Sequence, residues 1–363
     1  MDFAISDDQR SLQQLARQIL TERATHDHLK ALEAEANSAG TWSVFDRDLW
    51  RQLAAAGITG IAVSEDAGGA GLGFLEVALV LEEVGRAVAP IPAAPTLVTA
   101  FVLAKHGTGT ELLAGVATGD AVLTTAFEAD VTARADGDSW LLTGEAPFVP
   151  YGAEADVVVV PVRTDAGLAA ALVRRGAAGV TVTPLQTTNR EPQATLVFVD
   201  VSVGAADLVA DAADLVHDLR LHMTAGLSMV AAGVCQAALD MTAKHTINRE
   251  QFGKPIASFQ AVGQRAADAY IDTEMVRLTA TQAAWRLSAG WPADDEVAVA
   301  KFWVGDGGMR ALHACQHLHG GLGVDLDYPL HRYFVWGKQL EHELGTPTRQ
   351  LLSLGAQLAA TPV

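Results

Sequence analysis

The sequence changes character twice, near residues 120 and 206, and the segment between the two changes has the composition of a β-sheet. Within 121–205, short runs of Val, Leu and Thr alternate with Gly, Pro, Asp and Asn. These runs predict strands joined by tight turns. No helical pattern separates them, so they predict an antiparallel sheet and disfavour a doubly wound sheet built from βαβ units. The predicted strands are 121–127, 140–142, 155–162, 169–173, 179–183 and 194–203.

Helical periodicity dominates the chain on either side of this segment. Ser6 and Gln9 have the spacing of the capping box that begins a helix. Small and apolar residues recur every three or four positions from Val262 to Leu287, which predicts one face of a long helix. A last helix is predicted over 332–352. Long helices with small, uncharged faces pack against one another as a bundle.

Together these patterns predict a mainly α protein with a central β-domain. We predict a helical N-terminal domain at 1–120, the middle β-domain at 121–205 and a C-terminal helical bundle at 206–363. A length of 363 residues fits two or three packed units.

The chain is strongly acidic, with 43 Asp and Glu against 25 Lys and Arg and a formal net charge of −18. Nucleic acids and anionic membranes are therefore disfavoured as partners, and an anionic ligand would need a local group of basic residues. The first residues lack the pattern of a signal peptide, and the apolar stretch from Leu227 to Leu239 is too short to span a bilayer. Cys235 and Cys315 lie in apolar helical patterns and are predicted to be reduced, buried thiols. We expect a soluble, cytoplasmic protein with no membrane insertion.

The segment Asn248–Gln260 contains the first motif that could carry chemistry. A glycine and a proline within it prevent the preceding helix from continuing. Arg249 and Gln251 would then stand at a helix end, where a guanidinium can bind a phosphate through two parallel hydrogen bonds. Phe252 offers a flat apolar ring, and Gln260 offers an amide. Local chemistry alone also allows a polar corner between helices, with Phe252 in the core.

The second motif, His317–Pro329, is rich in glycine. Gly320 and Gly321 would let a backbone come close to the phosphates or the sugar of a ligand. A glycine-terminated helix followed by a turn would have the same sequence.

Three histidines in and before this motif have a spacing that can bind zinc. His313 and His317 are four residues apart on a predicted helix, and His319 follows. No nearby carboxylate completes a metal site, so we expect packing or interface histidines and no metal.

The motifs Asn248–Gln260 and His317–Pro329, in this order and on this architecture, resemble those of the acyl-CoA dehydrogenase family. The resemblance extends over essentially the whole chain. Leu49–Gly73 is similar to the family's early helix and glycine loop, and Arg249–Ile256 with Gln260 is similar to its most specific C-terminal signature. The resemblance implies a helical N-domain, a β-barrel-like middle domain and a C-terminal four-helix bundle. It also implies FAD as cofactor, oxidation of an acyl-CoA to a 2,3-enoyl-CoA with a glutamate as base, and an electron-transfer flavoprotein as electron acceptor.

In this family the flavin lies across a subunit interface, and its ADP half is held by the neighbouring subunit. His317 stands where many members have glutamine. The positions that match the ADP-binding residues are Arg249, Gln251, Phe252, Gln260, His317, Gly320 and Gly321.

The sequence departs from the family pattern in the half of the site that holds the flavin ring and the base. Thr125–Val131 replaces the usual Thr-Glu-Pro run, and Ala146–Pro150 replaces a Trp-Ile-Thr element. Leu344 occupies the position of the catalytic glutamate, and Met223 occupies the position from which some members supply the base. Neither side chain can accept a proton, so we predict no catalytic residue in this chain. Glu343, one position away, is rotated by about 100° on a helix.

A chain with half a flavin site and no base resembles the smaller, non-catalytic subunits of the α2β2 acyl-CoA dehydrogenases of actinobacterial steroid side-chain degradation. The resemblance implies a paralogous catalytic partner subunit and a cholesterol-type steroid side-chain CoA thioester as substrate. Two alternatives remain open. The chain could be a self-sufficient homo-oligomeric dehydrogenase with Glu343 as base, or a scaffold subunit that binds no flavin.

Overall fold

A computed structural model of the chain describes residues 5–360. Helices come first, a sheet follows, and helices complete the chain, which is the predicted order. The α-helices of this part are α1 (Asp7–Arg23), α2 (His26–Ser38), α3 (Arg47–Ala55), α4 (Phe74–Ala87), α5 (Ala93–Lys105), α6 (Thr110–Ala117), α7 (Ala213–Asn248), α8 (Gln260–Ser288), α9 (Asp294–Trp303), α10 (Met309–His319), α11 (Leu330–His342) and α12 (Pro347–Ala360). The strands are β1 (Leu123–Thr125), β2 (Asp130–Asp136), β3 (Ser139–Pro150), β4 (Val157–Thr164), β5 (Gly167–Arg174), β6 (Val180–Leu185), β7 (Gln193–Gly204), β8 (Leu208–Val209), β9 (Glu250–Gln251) and β10 (Lys254–Pro255).

One sheet contains β1 to β8, in the order β6-β7-β3-β2-β4-β5-β8 with β1 paired to β4. Its pairs are antiparallel except for β1 with β4 and β2 with β4, which are parallel. Buried Val, Ala, Leu and Phe side chains of β2 to β5 and β7 form one hydrophobic cluster, and buried side chains of β1, β4 and β5 belong to a second cluster. The prediction of a largely antiparallel sheet is therefore confirmed.

The sequence patterns missed β2 and predicted too short a β3. Only two side chains of β2 are buried, so polar residues dilute its apolar signal. β3 continues through Pro147 because its pairing with β7 shifts register between Leu142 and Gly144 and again between Ala146 and Val149. Such bulges accommodate residues that would interrupt a regular ladder.

The first helix begins as its capping box predicts. The hydroxyl of Ser6 accepts a hydrogen bond from the N–H of Gln9 (3.1 Å), and the N–H of Ser6 donates to the side-chain oxygen of Gln9 (2.9 Å). The helix α2 was not predicted, because Leu29 is its only buried residue and one apolar contact creates no periodicity.

The last helix, predicted over 332–352, is two helices, so the single-helix prediction is wrong. α11 ends at His342 and α12 begins at Pro347. Leu344 has φ +55° and Gly345 has φ +110°, which no α-helix accommodates. Proline fits the start of the second helix, where its missing N–H costs nothing. The break therefore contains Leu344, on which the prediction of a missing base depends.

The chain divides into two compact units. The first consists of the described residues up to Lys30, Ala78–Ala89 and the described residues from Thr224 onward. The second consists of Ala31–Val77 and Pro90–Met223.

Within the first unit, α4 and α7 touch backbone to backbone. A Cβ on Gly85 would lie 1.9 Å from the carbonyl oxygen of Val230, and a Cβ on Gly233 would lie 1.9 Å from the carbonyl oxygen of Glu82. No other amino acid fits at either position without moving a helix. These two glycines therefore set how closely the two helices approach.

The helix α7 is longer than the apolar stretch Leu227–Leu239 indicated. With 36 residues it is long and apolar enough to cross a membrane by length and composition. However, 83% of its most apolar window is buried inside the protein, as in the core helix of a soluble protein.

Candidate functional site

The helix α7 ends in a short antiparallel hairpin that presents the first motif. Phe252 and Gly253 form its turn with φ +56° and +76°, the left-handed pair found in type I′ hairpins. The N–H of Arg249 donates to the carbonyl of His245 (2.8 Å), and the N–H of Ile256 donates to the carbonyl of Arg249 (2.8 Å). Arg249 is thereby fixed at the junction of helix and hairpin.

The side chains of this motif that were predicted to bind a ligand all face solvent. Phe252 is 92% exposed, and its ring meets that of Phe259 edge to face at a centroid distance of 6.2 Å. Arg249, Gln251 and Gln260 are also exposed, with Gln260 beginning α8. The interpretation of Phe252 as a core side chain is therefore wrong for this chain.

The second motif forms the end of α10 and an open turn. His317 is exposed on the last turn of the helix, and its carbonyl accepts the N–H of Gly320. Gly320 has φ +62° and ψ −139°, a conformation that is essentially restricted to glycine. A Cβ at Gly320 or Gly321 would meet no atom of the described chain within 4 Å. The turn therefore leaves room for a ligand to touch its backbone.

Two histidines join the two motifs within the first unit. The rings of His245 on α7 and His319 on α10 stack. Nδ1 of His319 donates to the carbonyl of Cys315 (2.8 Å), so Nε2 accepts from the hydroxyl of Tyr328 (3.2 Å). Burial lowers the pKa of both imidazoles, and the positive charge of Arg249 lowers the pKa of His245 further. Arg249 and Leu322, the residue after Gly321, line the same open cleft.

The surroundings of this cleft carry basic side chains that have no ion pair within residues 5–360. They are Lys244 and Arg249 in its lining and Lys254 in the adjacent hairpin. Several basic residues elsewhere in the same unit do have carboxylate partners, such as Arg86 with Asp240 at 2.8 Å. An acidic chain therefore has a local group of unpaired cations at the position where the sequence predicts phosphate binding.

Glu343 lies partly buried at the end of α11, close to the buried Lys301. Burial raises the pKa of Glu343 to about 7, against the opposing effects of the Lys301 charge and a hydrogen bond with Gln339. Nζ of Lys301 donates to the carbonyl oxygens of Leu340 (2.5 Å) and Glu341 (3.2 Å). Burial also lowers the pKa of Lys301 to about 8. The ammonium thus caps the C-terminal end of α11, where cations are favoured.

The two positions predicted to match the family's base, Leu344 and Met223, carry no proton acceptor. Leu344 stands in the break after α11, and its carbonyl oxygen accepts a hydrogen bond from the Gln350 amide (3.1 Å). Met223 is 4% exposed on α7. A thioether and an isobutyl group cannot remove a proton from carbon.

The segments that depart from the family's flavin-ring pattern make bonds within the second unit. The hydroxyls of Thr125 and Thr99 lie 3.0 Å apart and are buried. The Arg220 guanidinium donates to the carbonyl of Phe127 (2.7 Å). Phe148, in β3, is 64% exposed with φ +56°.

The three histidines considered for a metal do not converge. His313 is exposed and packs edge to face against Phe334, at a centroid distance of 4.9 Å. His317 is exposed and His319 is buried. No group of three or more His, Cys, Asp or Glu within residues 5–360 could hold a metal ion.

Two residues of the site, His245 and Lys301, have little signal in the sequence. His245 lies one helical turn before Arg249, and this spacing was the only signal that it belongs to the same helix end. Lys301 lies in an apolar stretch of α9, and the sequence alone predicts that a single lysine there is exposed.

Family models for the N-terminal and C-terminal domains of acyl-CoA dehydrogenases match residues 6–119 and 220–359. The acyl-CoA dehydrogenase FadE27 of Mycobacterium tuberculosis is 40% identical, and the match covers 100% of both chains. The two family models and the similarity to FadE27 confirm the predicted fold class, that of the acyl-CoA dehydrogenases.

Two solved structures resemble this chain over nearly all its length. A chain of the ChsE4-ChsE5 complex from Mycobacterium tuberculosis matches with a TM-score of 0.94 and 40% identity, covering 100% of both chains. A chain of a variant of the Tcur3481-Tcur3483 steroid ACAD matches with a TM-score of 0.90 and 39% identity, covering 98% of this chain and 99% of that one. Both relatives are complexes of two different chains.

Proposed function

Since the chain belongs to the acyl-CoA dehydrogenase family, we propose that it is the subunit of a heteromeric FAD-dependent enzyme that holds the ADP half of the flavin and supplies no base. The enzyme introduces a 2,3 double bond into an acyl-CoA. We retain 1–120, 121–205 and 206–363 as its proposed domains.

The unpaired, exposed guanidinium of Arg249 carries this proposal. It stands on a chain of net charge −18, beside a glycine turn that leaves space for a ligand. An exposed arginine with no carboxylate partner is suited to bind a phosphate through two hydrogen bonds. The side chains and turn of this site therefore fit the ADP half of FAD.

When bound, FAD would supply the hydride acceptor for the oxidation of the acyl chain. This chain would bind and orient it from the far side of the subunit interface. Arg249 would hold a phosphate, Phe252 would cover an apolar face, and the Gly320-Gly321 turn would let the ligand come close to its backbone. The side chains proposed to add hydrogen bonds are Gln251, Gln260 and His317.

The base would come from a paralogous partner subunit in an α2β2 assembly. Removing the α-proton of an acyl thioester needs a positioned carboxylate, and neither Leu344 nor Met223 supplies one. The two-chain relatives support such a partner.

We also propose the substrate, the electron acceptor and the location. The similarity to a steroid ACAD supports a CoA thioester of a cholesterol-type steroid side chain. An electron-transfer flavoprotein would take the electrons. The enzyme would work in the cytoplasm.

Co-production with a paralogous dehydrogenase tests the assembly. We expect this chain to bind no flavin alone and to yield a yellow complex when the partner is present. Stoichiometric flavin and thioester oxidation by this chain alone would overturn the proposal.

Substitution of Arg249 tests the flavin-binding role within the complex. Arg249→Ala should release most of the flavin, because the phosphate loses its cation. Arg134→Ala is the matched control, since Arg134 is also exposed and has no ion pair within residues 5–360. Unchanged flavin content in Arg249→Ala would favour the flavin-free scaffold instead.

One observation favours the self-sufficient alternative. The pKa of Glu343, raised to about 7, lies near the range that suits a general base. Glu343→Gln in the chain produced without a partner tests this alternative: turnover that is abolished with flavin still bound would establish Glu343 as the base. Unchanged turnover would remove that alternative.

A further inference from the structure

The helix α8 has a second apolar stripe, on the side opposite to the one it buries. Ala267, Ile271 and Leu278 are exposed at spacings of four and seven residues, which places them on one face of the helix. Ile271 is 57% exposed and Leu278 is 54% exposed. The other face of the helix is buried through residues such as Val276 and Ala280. Large apolar side chains that share an exposed face mark a surface where another protein binds.

A cleft of about 480 Å³ between α8 and α10 borders this stripe. On its α10 side, the Arg310 guanidinium is fully paired: it donates to the carboxylate of Asp272 (3.1 and 2.6 Å) and to that of Asp306. On its α8 side, Arg265 and Asp268 are exposed, and neither side chain has an ion pair or a hydrogen bond within residues 5–360. Opposite charges three residues apart on a helix commonly pair with each other. This cleft therefore presents one unpaired cation and one unpaired anion side by side.

A surface with one unpaired charge of each sign is complementary to itself. When two copies of a chain meet across a two-fold axis, every contact occurs twice with the roles exchanged. If two antiparallel α8 helices cross at Ala267, Arg265 of each copy faces Asp268 of the other, because these residues lie two positions before and one position after the crossing. The same register sets Ile271 opposite Gly263, where a Cβ would meet no atom within 4 Å. The glycine therefore leaves space for the isoleucine of the second copy.

The overall charge of the chain makes such local pairing necessary. A chain with a formal net charge of −18 repels its own copies at long range. Two copies can remain in contact only where apolar burial and opposite charges offset this repulsion. The exposed face of α8 offers both in the same place.

We propose that this face of α8 binds the same face of a second copy of this chain, through two reciprocal ion pairs between Arg265 and Asp268. The inference rests on the proposed function in one respect. In the proposed α2β2 assembly, this contact joins two halves that each contain one copy of this chain and one partner. None of the residues proposed to hold the flavin belongs to the contact. The face consists of Gly263, Arg265, Ala267, Asp268, Ile271 and Leu278.

The test exchanges the two charges in the complete complex. Arg265→Asp and Asp268→Arg each set like charges opposite each other at both reciprocal contacts, and the double variant restores opposite charges there. We expect each single variant to raise the dissociation constant between the two halves at least tenfold, measured by sedimentation velocity. The double variant should recover most of the affinity. Arg134→Asp changes another exposed arginine without an ion pair in residues 5–360, and it should leave the dissociation constant unchanged.

The double variant decides which surface occupies the face. If it dissociates as readily as the single variants, the face meets the paralogous partner or another protein, and the inference is overturned. If neither single variant changes the dissociation constant, the inference is overturned as well. Thermal unfolding shows that each variant is folded, since both substituted side chains are exposed.

The composition of the natural complex tests the proposed function separately. If this chain neither binds a partner nor contributes to flavin binding, the proposed function fails. The same charge exchange, measured on this chain alone, then decides the self-contact by whether the natural chain and the double variant are dimers while the single variants are monomers.

Discussion

His245 and His319 stack with ring centroids 4.2 Å apart and planes inclined by 21°. This contact joins the helix end that carries Arg249 to the helix end that carries the Gly320-Gly321 turn. Arg249 and Tyr328 face the pair, and the carbonyl of Cys315 accepts from His319. The stack requires neutral rings, because two imidazolium ions at this distance repel each other.

We expect this stack to make flavin retention sensitive to acid. Both histidines have a pKa below the ordinary value of 6.5. The unfolded chain therefore takes up protons first, so their contribution is complete above about pH 6.5 and is lost as the pH falls toward the folded pKa values. His245→Phe keeps a stacked ring that does not titrate. Flavin release and thermal unfolding of the complex, followed between pH 7.5 and 5, should depend less on pH in this variant.

The pKa of the buried His222 is lowered to about 4, so this residue also reduces stability as the pH falls. It does so to the same extent in the natural chain and in the His245→Phe variant. Only the difference between His245→Phe and the natural chain therefore reports on the stack. Identical pH profiles would show that the stack has no part in acid sensitivity.

Alanine substitutions at Gly320 and Gly321 should distinguish a loss of stability caused by backbone strain from a loss of flavin caused by blocking a ligand contact. Gly320→Ala forces a side chain into a glycine-only conformation and should cost about 1–3 kcal/mol of stability. Gly321 has no positive φ and has open space around it, so Gly321→Ala should leave stability within about 0.5 kcal/mol. It should nevertheless lower flavin content, because the added methyl occupies the ligand's space. Thermal unfolding and flavin absorbance of the complex measure both effects, and full flavin content in Gly321→Ala would contradict the assignment.

Lys301 should be one of the residues on which the stability of the C-terminal helices depends most. Lys301→Met removes the donor to the carbonyls of Leu340 and Glu341 and leaves Glu343 without its nearby cation. Breaking such a buried charge arrangement costs about 3–5 kcal/mol, measurable by denaturant unfolding. Lys338→Met is the control, because the ion pair of Lys338 with Glu341 is partly exposed and should contribute at most about 1 kcal/mol.

Glu343 should lower stability at alkaline pH. Its folded pKa of about 7 lies above the ordinary value of 4.5, so the folded chain holds its proton more tightly. The associated stability is complete below about pH 4.5 and is lost as the pH rises to 7. Glu343→Gln should remove this loss, so its unfolding free energy relative to the natural chain should rise between pH 5 and pH 8. A constant difference across that range would contradict the raised pKa.

The glycine contacts between α4 and α7 should tolerate no added methyl. Gly85→Ala and Gly233→Ala each place a Cβ 1.9 Å from a carbonyl oxygen and should cost about 1–3 kcal/mol or more. Gly263→Ala in α8 meets nothing within 4 Å and should gain up to about 1 kcal/mol from helix propensity. Equal stability of the three variants in denaturant unfolding would refute this reading of the contact.

Elements with a clear apolar period were predictable from the sequence. The capping box at Ser6 placed the start of α1, and the glycine and proline after Asn248 placed the end of α7. The strand β2 and the helix α2 were not predicted, because each buries only one or two side chains and therefore shows little apolar periodicity. The break after α11 was missed although Gly345 and Pro347 are typical of a helix end, and only the left-handed conformation of Leu344 has no signal in the sequence.

Features of the candidate site that depend on residue type alone were predictable from the sequence. Features that depend on contacts between residues far apart in the chain were not. The arginine before a helix-breaking glycine predicted an exposed cation at a helix end, which is where Arg249 lies, and phosphate binding there stays a prediction. The stack of His245 with His319 joins residues 74 positions apart, and the cap that Lys301 places on α11 joins residues about 40 positions apart. Such contacts follow from packing between helices, which local periodicity does not specify.

Phe252, at the tip of its hairpin, has a consequence for how cells produce this chain. If its ring is covered only in the assembled enzyme, every copy that has not yet met its partner carries an exposed aromatic side chain. Chaperones and proteases recognise such features, so surplus copies would be removed. Balanced synthesis of the two polypeptides, most simply from neighbouring genes read on one transcript, would then determine how much enzyme accumulates.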